Sequence, residues 1–210
     1  MVYKIKQPEI PQKSINSFPI YLGIDPGVNG AIAFYMVGSN KLKIEDMPTI
    51  KQKVGKKERK QIDSKQLVKI IKSLKKINHA FVEKVNAYPQ QGVVSVFNFG
   101  YSYGVIIGIL SCRSIPITYV LPRKWKEDIN LQTKKLSRKR PTTNKKKFKD
   151  WDKLRAKGKA MNKEFARDRA IKEFPNYKEY FKRKKDDGRA EAALIALWGA
   201  TKNNPQGNNN

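Results

Sequence analysis

Four carboxylates in this sequence stand where they can work together. Asp25 ends the run Ile20-Tyr21-Leu22-Gly23-Ile24, which carries no other charge. Glu83 ends the short apolar run Ala80-Phe81-Val82. Asp187 and Glu191 are four residues apart at the head of an alanine-rich stretch, a spacing that puts two side chains on one helix face. Hard oxygen donors of this kind hold magnesium while leaving positions for water and phosphate. Two such ions ~3.5–4 Å apart activate the attacking water and stabilise the leaving oxygen when a phosphodiester is cut. Without a cation, four converging carboxylates repel. Each acid also has an ordinary reading. Asp25 can bond its own turn, Pro26-Gly27, through a local side-chain contact. Asp186 and Asp187 can cap a helix and meet its dipole. Taken singly, the two readings are balanced. As a set, in a very basic chain, the acids favour a metal site.

The elements that must position them follow from periodicity. Alternation predicts strands at 20–25 and 31–35 around the turn dipeptides Pro26-Gly27 and Asn29-Gly30, and a third, antiparallel strand at 42–47. The run 51–60 reads as a solvated basic loop. Asp63-Ser64 starts a helix with Leu67, Ile70, Ile71, Leu74 and Ile77 at helical spacing. A buried strand, 80–83, is followed by a polar turn and a helix reaching about Leu110. Gly100, Gly104 and Gly108 give that helix a flat face, so it is expected to be buried against a sheet or another helix. A strand at 115–120 and helices at 162–174 and 187–202 complete the order. This is an α/β fold with an antiparallel edge and a parallel remainder. Ends of neighbouring parallel strands face one crevice, which would bring Asp25 and Glu83 together.

Composition narrows the partner. Lys plus Arg number 45 against 18 acids, a formal charge of +27 over 210 residues. Such an excess points to a polyanion, nucleic acid first and an anionic membrane surface second. Residues 134–160 hold 13 Lys or Arg against Asp150 and Asp152. They are expected to form an exposed, partly disordered basic insertion that serves as a DNA arm. Residues 1–18 read as a flexible arm and 203–210 as a disordered tail, leaving one domain at 19–202. Cys112 is the only cysteine, which fits an intracellular, reducing compartment; an organellar or viral setting is compatible with it. Membrane insertion is not expected, because polar residues interrupt the apolar run before Val105–Leu110.

The motifs also resemble a known family when taken in order. Gly23-Ile24-Asp25-Pro26-Gly27 with Gly30-Ala31-Ile32-Ala33 resembles the first motif of the RuvC family of Holliday-junction resolvases, which have a ribonuclease-H-like fold. Val82-Glu83 followed by Pro89-Gln90, Gly92, Ser95, Phe99-Gly100 and Gly104 resembles the second, especially in the phage and chloroplast branches. Pro122, Trp125-Lys126, the stretch from Lys163 to Pro175, and Asp187-Gly188-Arg189-Ala190-Glu191-Ala192 resemble the remaining ones.

The resemblance implies a mixed sheet of three antiparallel strands plus parallel strands, flanked by helices. It implies Asp25, Glu83, Asp187 and Glu191 as magnesium ligands, with manganese as a substitute ion and Lys126 beside the scissile phosphate. It further implies a homodimer acting on four-way junction DNA, with the helix around 97–110 as its interface. Residues assigned to DNA contact are Tyr88, Gln90, Phe97, Lys124, Lys145, Lys146, Lys147 and Lys163. The final acidic pair is spaced by four where bacterial members have three. That keeps Asp186 open beside Asp187, and Lys163 open as a second lysine. The expected activity is paired symmetric nicking in recombination and repair. The rivals are a related nuclease for flaps, branched DNA or RNA–DNA hybrids, and a non-catalytic basic DNA-binding protein.

Overall fold

The structure, a computed structural model, describes residues 18–54, 57–74, 76–87, 91–136 and 145–203. The expected arm up to residue 17, the tail from 204, and the candidate DNA contacts Tyr88 and Gln90 lie outside the described residues.

Strand β1 (Ile20–Asp25) pairs antiparallel with β2 (Ala31–Met36), which pairs antiparallel with β3 (Lys41–Asp46). The connecting turn closes where Gly30 N donates to Gly27 O at 2.8 Å. After β3 come β4 (Thr49–Val54), β5 (Lys57–Ile62), helix α1 (Ser64–Lys72) and strand β6 (His79–Glu83). Helix α2 (Val93–Cys112) leads to β7 (Ile117–Val120), then α3 (Pro122–Asp128), α4 (Lys145–Glu173) and α5 (Asp187–Asn203). Strand β6 runs parallel to β1, and β7 parallel to β6, giving the order β3-β2-β1-β6-β7. This is the mixed α/β sheet expected from the sequence, three antiparallel strands followed by parallel ones, with helices on both faces.

Alternation along the strands sorts the core into two layers. Ile20, Leu22, Ile24, Phe34, Ala80 and Val82 pack towards α1 and α2 with Leu67, Ile71, Ile106 and Leu110. Tyr21, Ala33, Tyr35, Leu42 and Phe81 pack on the other face against α4 and α5, with Trp125 from α3. Gly23 explains why α5 lies so close to the sheet. A Cβ there would overlap Ala192 O and Ala196 N of α5, so any larger residue would push the acid-bearing helix away. Asp63 caps α1 by accepting from Gln66 N at 3.0 Å, a contact worth about 1 kcal/mol.

Three elements differ from the sequence expectation. The expected loop at 51–60 is largely strand: β4 and β5 form their own two-stranded antiparallel sheet, with residues 55–56 outside the described residues. Its strands are polar on both faces, so no apolar alternation announced it. The glycine-faced helix α2 is not buried. Only Ser102, Ile106 and Leu110 are buried on it, and a Cβ at Gly100, Gly104 or Gly108 would meet nothing within 4 Å. By length and composition α2 is long and apolar enough to cross a bilayer, with mean hydropathy 1.7. Finally, residues 145–160 are helical, continuous with the expected 162–174 helix in the 29-residue α4. Lys, Arg, Ala and Leu, which make up most of this stretch, are good helix formers, and charge density conceals that propensity.

Candidate active site

The register sets the first two acids side by side. Ile24 of β1 is opposite Val82 of β6, so Asp25 and Glu83 close neighbouring parallel strands at the same edge. The turn contact that would make Asp25 a simple cap is present but long: Gly27 N donates to Asp25 Oδ1 at 3.5 Å. Helix α5 brings the other pair. Gly188, in its first turn, packs on the β1–β2 turn, where a Cβ would lie 2.7 Å from Asn29 O. That contact fixes the start of α5 beside Asp25, and Asp187 and Glu191 follow from it.

Asp25 lies close enough to the other three acids for their charges to act on it. Burial pushes the Asp25 carboxyl up to about 8, and the charges of Glu191, Glu83 and Asp187 add to the rise. Burial also raises Glu83, with Glu191 adding to it, against the opposing pull of Lys126 and a hydrogen bond from Trp125. That bond runs from Trp125 Nε1 to Glu83 Oε1 at 3.0 Å. Trp125 is fully buried, so it holds Glu83 from a rigid position.

Two lysines enter the same cluster. Lys126 Nζ lies 2.8 Å from Glu191 Oε1 and 5.0 Å from the centre of the Trp125 ring. Burial lowers the Lys126 ammonium pKa, but Glu191, Glu83 and Asp25 outweigh it and the net shift is upward. Lys126 is therefore a fixed positive charge at neutral pH. Lys163 Nζ lies 2.5 Å from Asp187 Oδ2, which ties α4 to the site. Among the described residues, no three His, Cys, Asp or Glu side chains form a ready-made group for a metal ion. The acids are close enough to perturb one another, yet Asp187 and Glu191 lean on ammonium groups.

Asp186 stands apart. It is 1% exposed and accepts from Arg183 N at 2.9 Å, Arg183 Nε at 3.1 Å and Arg183 Nη2 at 2.9 Å. This carboxylate closes the turn before α5, and the set around Asp25 contains Asp187 instead. Other candidates scatter. Phe97 is exposed on α2. Lys124 pairs with Asp128 within α3 at 2.9 Å. Lys145, Lys146 and Lys147 start α4, and their side chains lie outside the described residues. In the sequence Trp125 stands out only as part of a motif. Its partner is 42 positions away, and nothing local to it identifies that carboxylate.

No protein-family model matches the sequence, and no curated protein matches it. Solved structures similar to the chain include two of RuvC. One is T. thermophilus RuvC in complex with Holliday junction substrate, at 12% identity and a TM-score of 0.48, covering 87% of this chain and 96% of that one. The other is a Thermus thermophilus RuvC structure, at 11% identity and a TM-score of 0.44, covering 88% and 96%.

Proposed function

We propose that this chain is a magnesium-dependent, structure-selective endonuclease that resolves four-way DNA junctions by paired nicks. The observation that carries the reading is the half-buried strand-end carboxylate Asp25, close to Glu83, Asp187 and Glu191 in a chain of net charge +27. The ordered motifs in the sequence support the junction as substrate, and the charge supports DNA as the partner.

The donor set suits a hard dication in chemistry and charge. All four candidate ligands, Asp25, Glu83, Asp187 and Glu191, are carboxylates. A dication among them would reverse the upward shift of Asp25. The match is one of charge, since the side chains are not closed into a coordination group. When bound, magnesium supplies an activated water and charge stabilisation at the leaving oxygen. The chain's own residues do the rest. Trp125 orients Glu83. Lys126 stands beside the acids and stabilises negative charge developing on the phosphate. Lys163 offsets Asp187 from the side of α4. Manganese, with similar ligand preferences, would substitute.

The apolar surface of α2 is the proposed homodimer interface. Two copies would give two active sites related by a two-fold axis, as paired nicks in a junction require. The enzyme would act inside a reducing compartment, in recombination and repair of DNA.

The test is a magnesium titration with labelled four-way junction, flap, duplex and RNA–DNA hybrid side by side. Symmetric nicks confined to the junction are expected. Equal cutting of flaps or hybrids would replace junction resolution with a broader nuclease. Cutting of the junction by Asp25→Asn at the wild-type rate would remove the acids from the mechanism.

A further inference from the structure

A second feature lies against the acidic site and is not needed to build it. A cleft of about 600 Å³ opens beside Asp187. Its walls include Asn29 of the β1–β2 turn, Thr49 and Lys60 of the β4–β5 hairpin, Lys163 of α4, and Lys185 just before α5. Most charges in it are already matched. Arg183 bonds Asp186, Arg189 bonds Asp46 through Nε and Nη2 at 2.5 and 2.6 Å, and Lys163 bonds Asp187. Lys60 and Lys185 remain. Among the described residues, Lys60 Nζ reaches the neutral Asn29 Oδ1, at 3.4 Å, and no carboxylate. Lys185 is exposed and has no ion pair among the described residues.

The hairpin carries the same surplus further out. Thr49 is opposite Ile62, and Lys51 is directly opposite Lys60. Strand alternation puts Thr49, Lys51, Lys60 and Ile62 on one face. Ile62 is buried in the core and anchors the base. Lys51 thus continues the cleft wall formed by Thr49 and Lys60. Like charges directly opposite each other destabilise a strand pair, and a two-stranded sheet has little stability to spare. Glu58, 3.3 Å from Lys51, offsets only part of that repulsion. A lysine pair in register on a small hairpin is an arrangement that an anionic chain would stabilise.

We infer that the β4–β5 hairpin and this cleft form a phosphodiester-binding subsite for the DNA strand flanking the cleaved bond, with Lys51, Lys60 and Lys185 as its phosphate partners. The subsite rests on the nuclease reading above, because the cleft shares Asp187 with the acidic cluster. Its ligand is a sugar–phosphate backbone. Lysines present point charges without a planar hydrogen-bonding fork, which suits phosphate contact rather than base reading.

The test is equilibrium binding of fluorescent four-way junction by the full chain in EDTA, followed across a range of sodium chloride. The variant is Lys51→Gln/Lys60→Gln/Lys185→Gln. The control is Lys65→Gln/Lys69→Gln/Lys72→Gln, which removes the same charge from exposed positions on α1. Each lost phosphate contact lowers the slope of log affinity against log salt by roughly 0.9. The site variant should therefore lose about 2–3 from the slope, and the control less than about 1. A site variant with the wild-type slope, or a control that loses as much, overturns the subsite. The wild type separates the two claims. If it cuts junctions while the site variant keeps its slope, only the subsite fails. If it binds no DNA, the nuclease reading fails with it.

Discussion

Asp25 is an acid whose folded environment favours its neutral form, and that has a measurable sign. Its pKa rises from 3.8 to about 8 on folding. Between those values the folded chain binds more protons than the unfolded one, so stability falls as pH rises through that window. Replacing Asp25 by Asn removes the penalty. In EDTA at pH 8 the Asp25→Asn protein should melt higher than wild type by at least about 1 kcal/mol, or roughly 2–4 °C. The difference should vanish near pH 4. Calorimetry at the two pH values checks this, and a lower melting point for the variant at pH 8 would contradict the buried-anion account. Trp125 gives a second prediction. Trp125→Phe keeps an aromatic ring in the core but removes the donor to Glu83 Oε1. Loss of such an orienting partner typically weakens a metal site 10–100-fold. The magnesium concentration for half-maximal cleavage should rise by about that factor, and the melting point should fall somewhat, because the smaller ring leaves space in the core. Asp25 and Glu83 were legible in the sequence because each is a lone charge ending an apolar run. Trp125 was not, because a side chain that acts across the sheet leaves no mark on its own neighbours.

At the scale of elements, helix α3 depends on side-chain anchors at its middle and its end. It has seven residues and no side-chain cap at its start, and helices that short are marginal by themselves. Trp125 anchors its middle. Asp128 anchors its end, accepting from Trp198 Nε1 of α5 at 2.9 Å and pairing with Lys124 at 2.9 Å and Lys202 at 3.1 Å. Lys124 and the Trp198 indole, with Lys202, hold the Asp128 carboxyl well below the usual carboxylate range. A depressed carboxylate stabilises the fold above its unfolded pKa and loses that contribution as pH falls towards its folded value. Asp128→Asn should therefore melt below wild type at pH 7, with the gap narrowing below about pH 4. Thermal melts followed by circular dichroism across that range decide it; a gap independent of pH would mean that Asp128 acts through shape rather than charge. Elements also show where sequence reading stops. Strands β1, β2, β3 and β6 were legible because their apolar residues alternate or run together under two helical layers. The β4–β5 hairpin was not, since cross-strand pairing of polar residues has no local signature. Helix α2 was legible as a helix but not as an exposed one: composition records that a surface is apolar, not whether anything covers it.

For the whole molecule, the question is what covers α2. Val93 is 83% exposed and Phe97 71%, with Val94 and Tyr101 also exposed and the three glycines open. Contiguous apolar surface of this kind on a soluble chain marks an interaction site. A second copy fits the proposed activity, because the open glycines let two α2 helices approach closely and place two acidic clusters in one particle. The alternative cover is a bilayer, given the length and hydropathy of the helix. Phe97→Glu distinguishes them. The side chain is exposed and no core residue depends on it, so the fold should survive. Light scattering at micromolar concentration should show the wild type as a dimer and the variant shifted to monomer. Junction cleavage by the variant should change from paired nicks to single, uncoordinated ones, because each strand would be cut in a separate binding event. A wild type that is monomeric without detergent, and that floats with phosphatidylglycerol vesicles, would assign α2 to the membrane and remove the symmetric-nick mechanism.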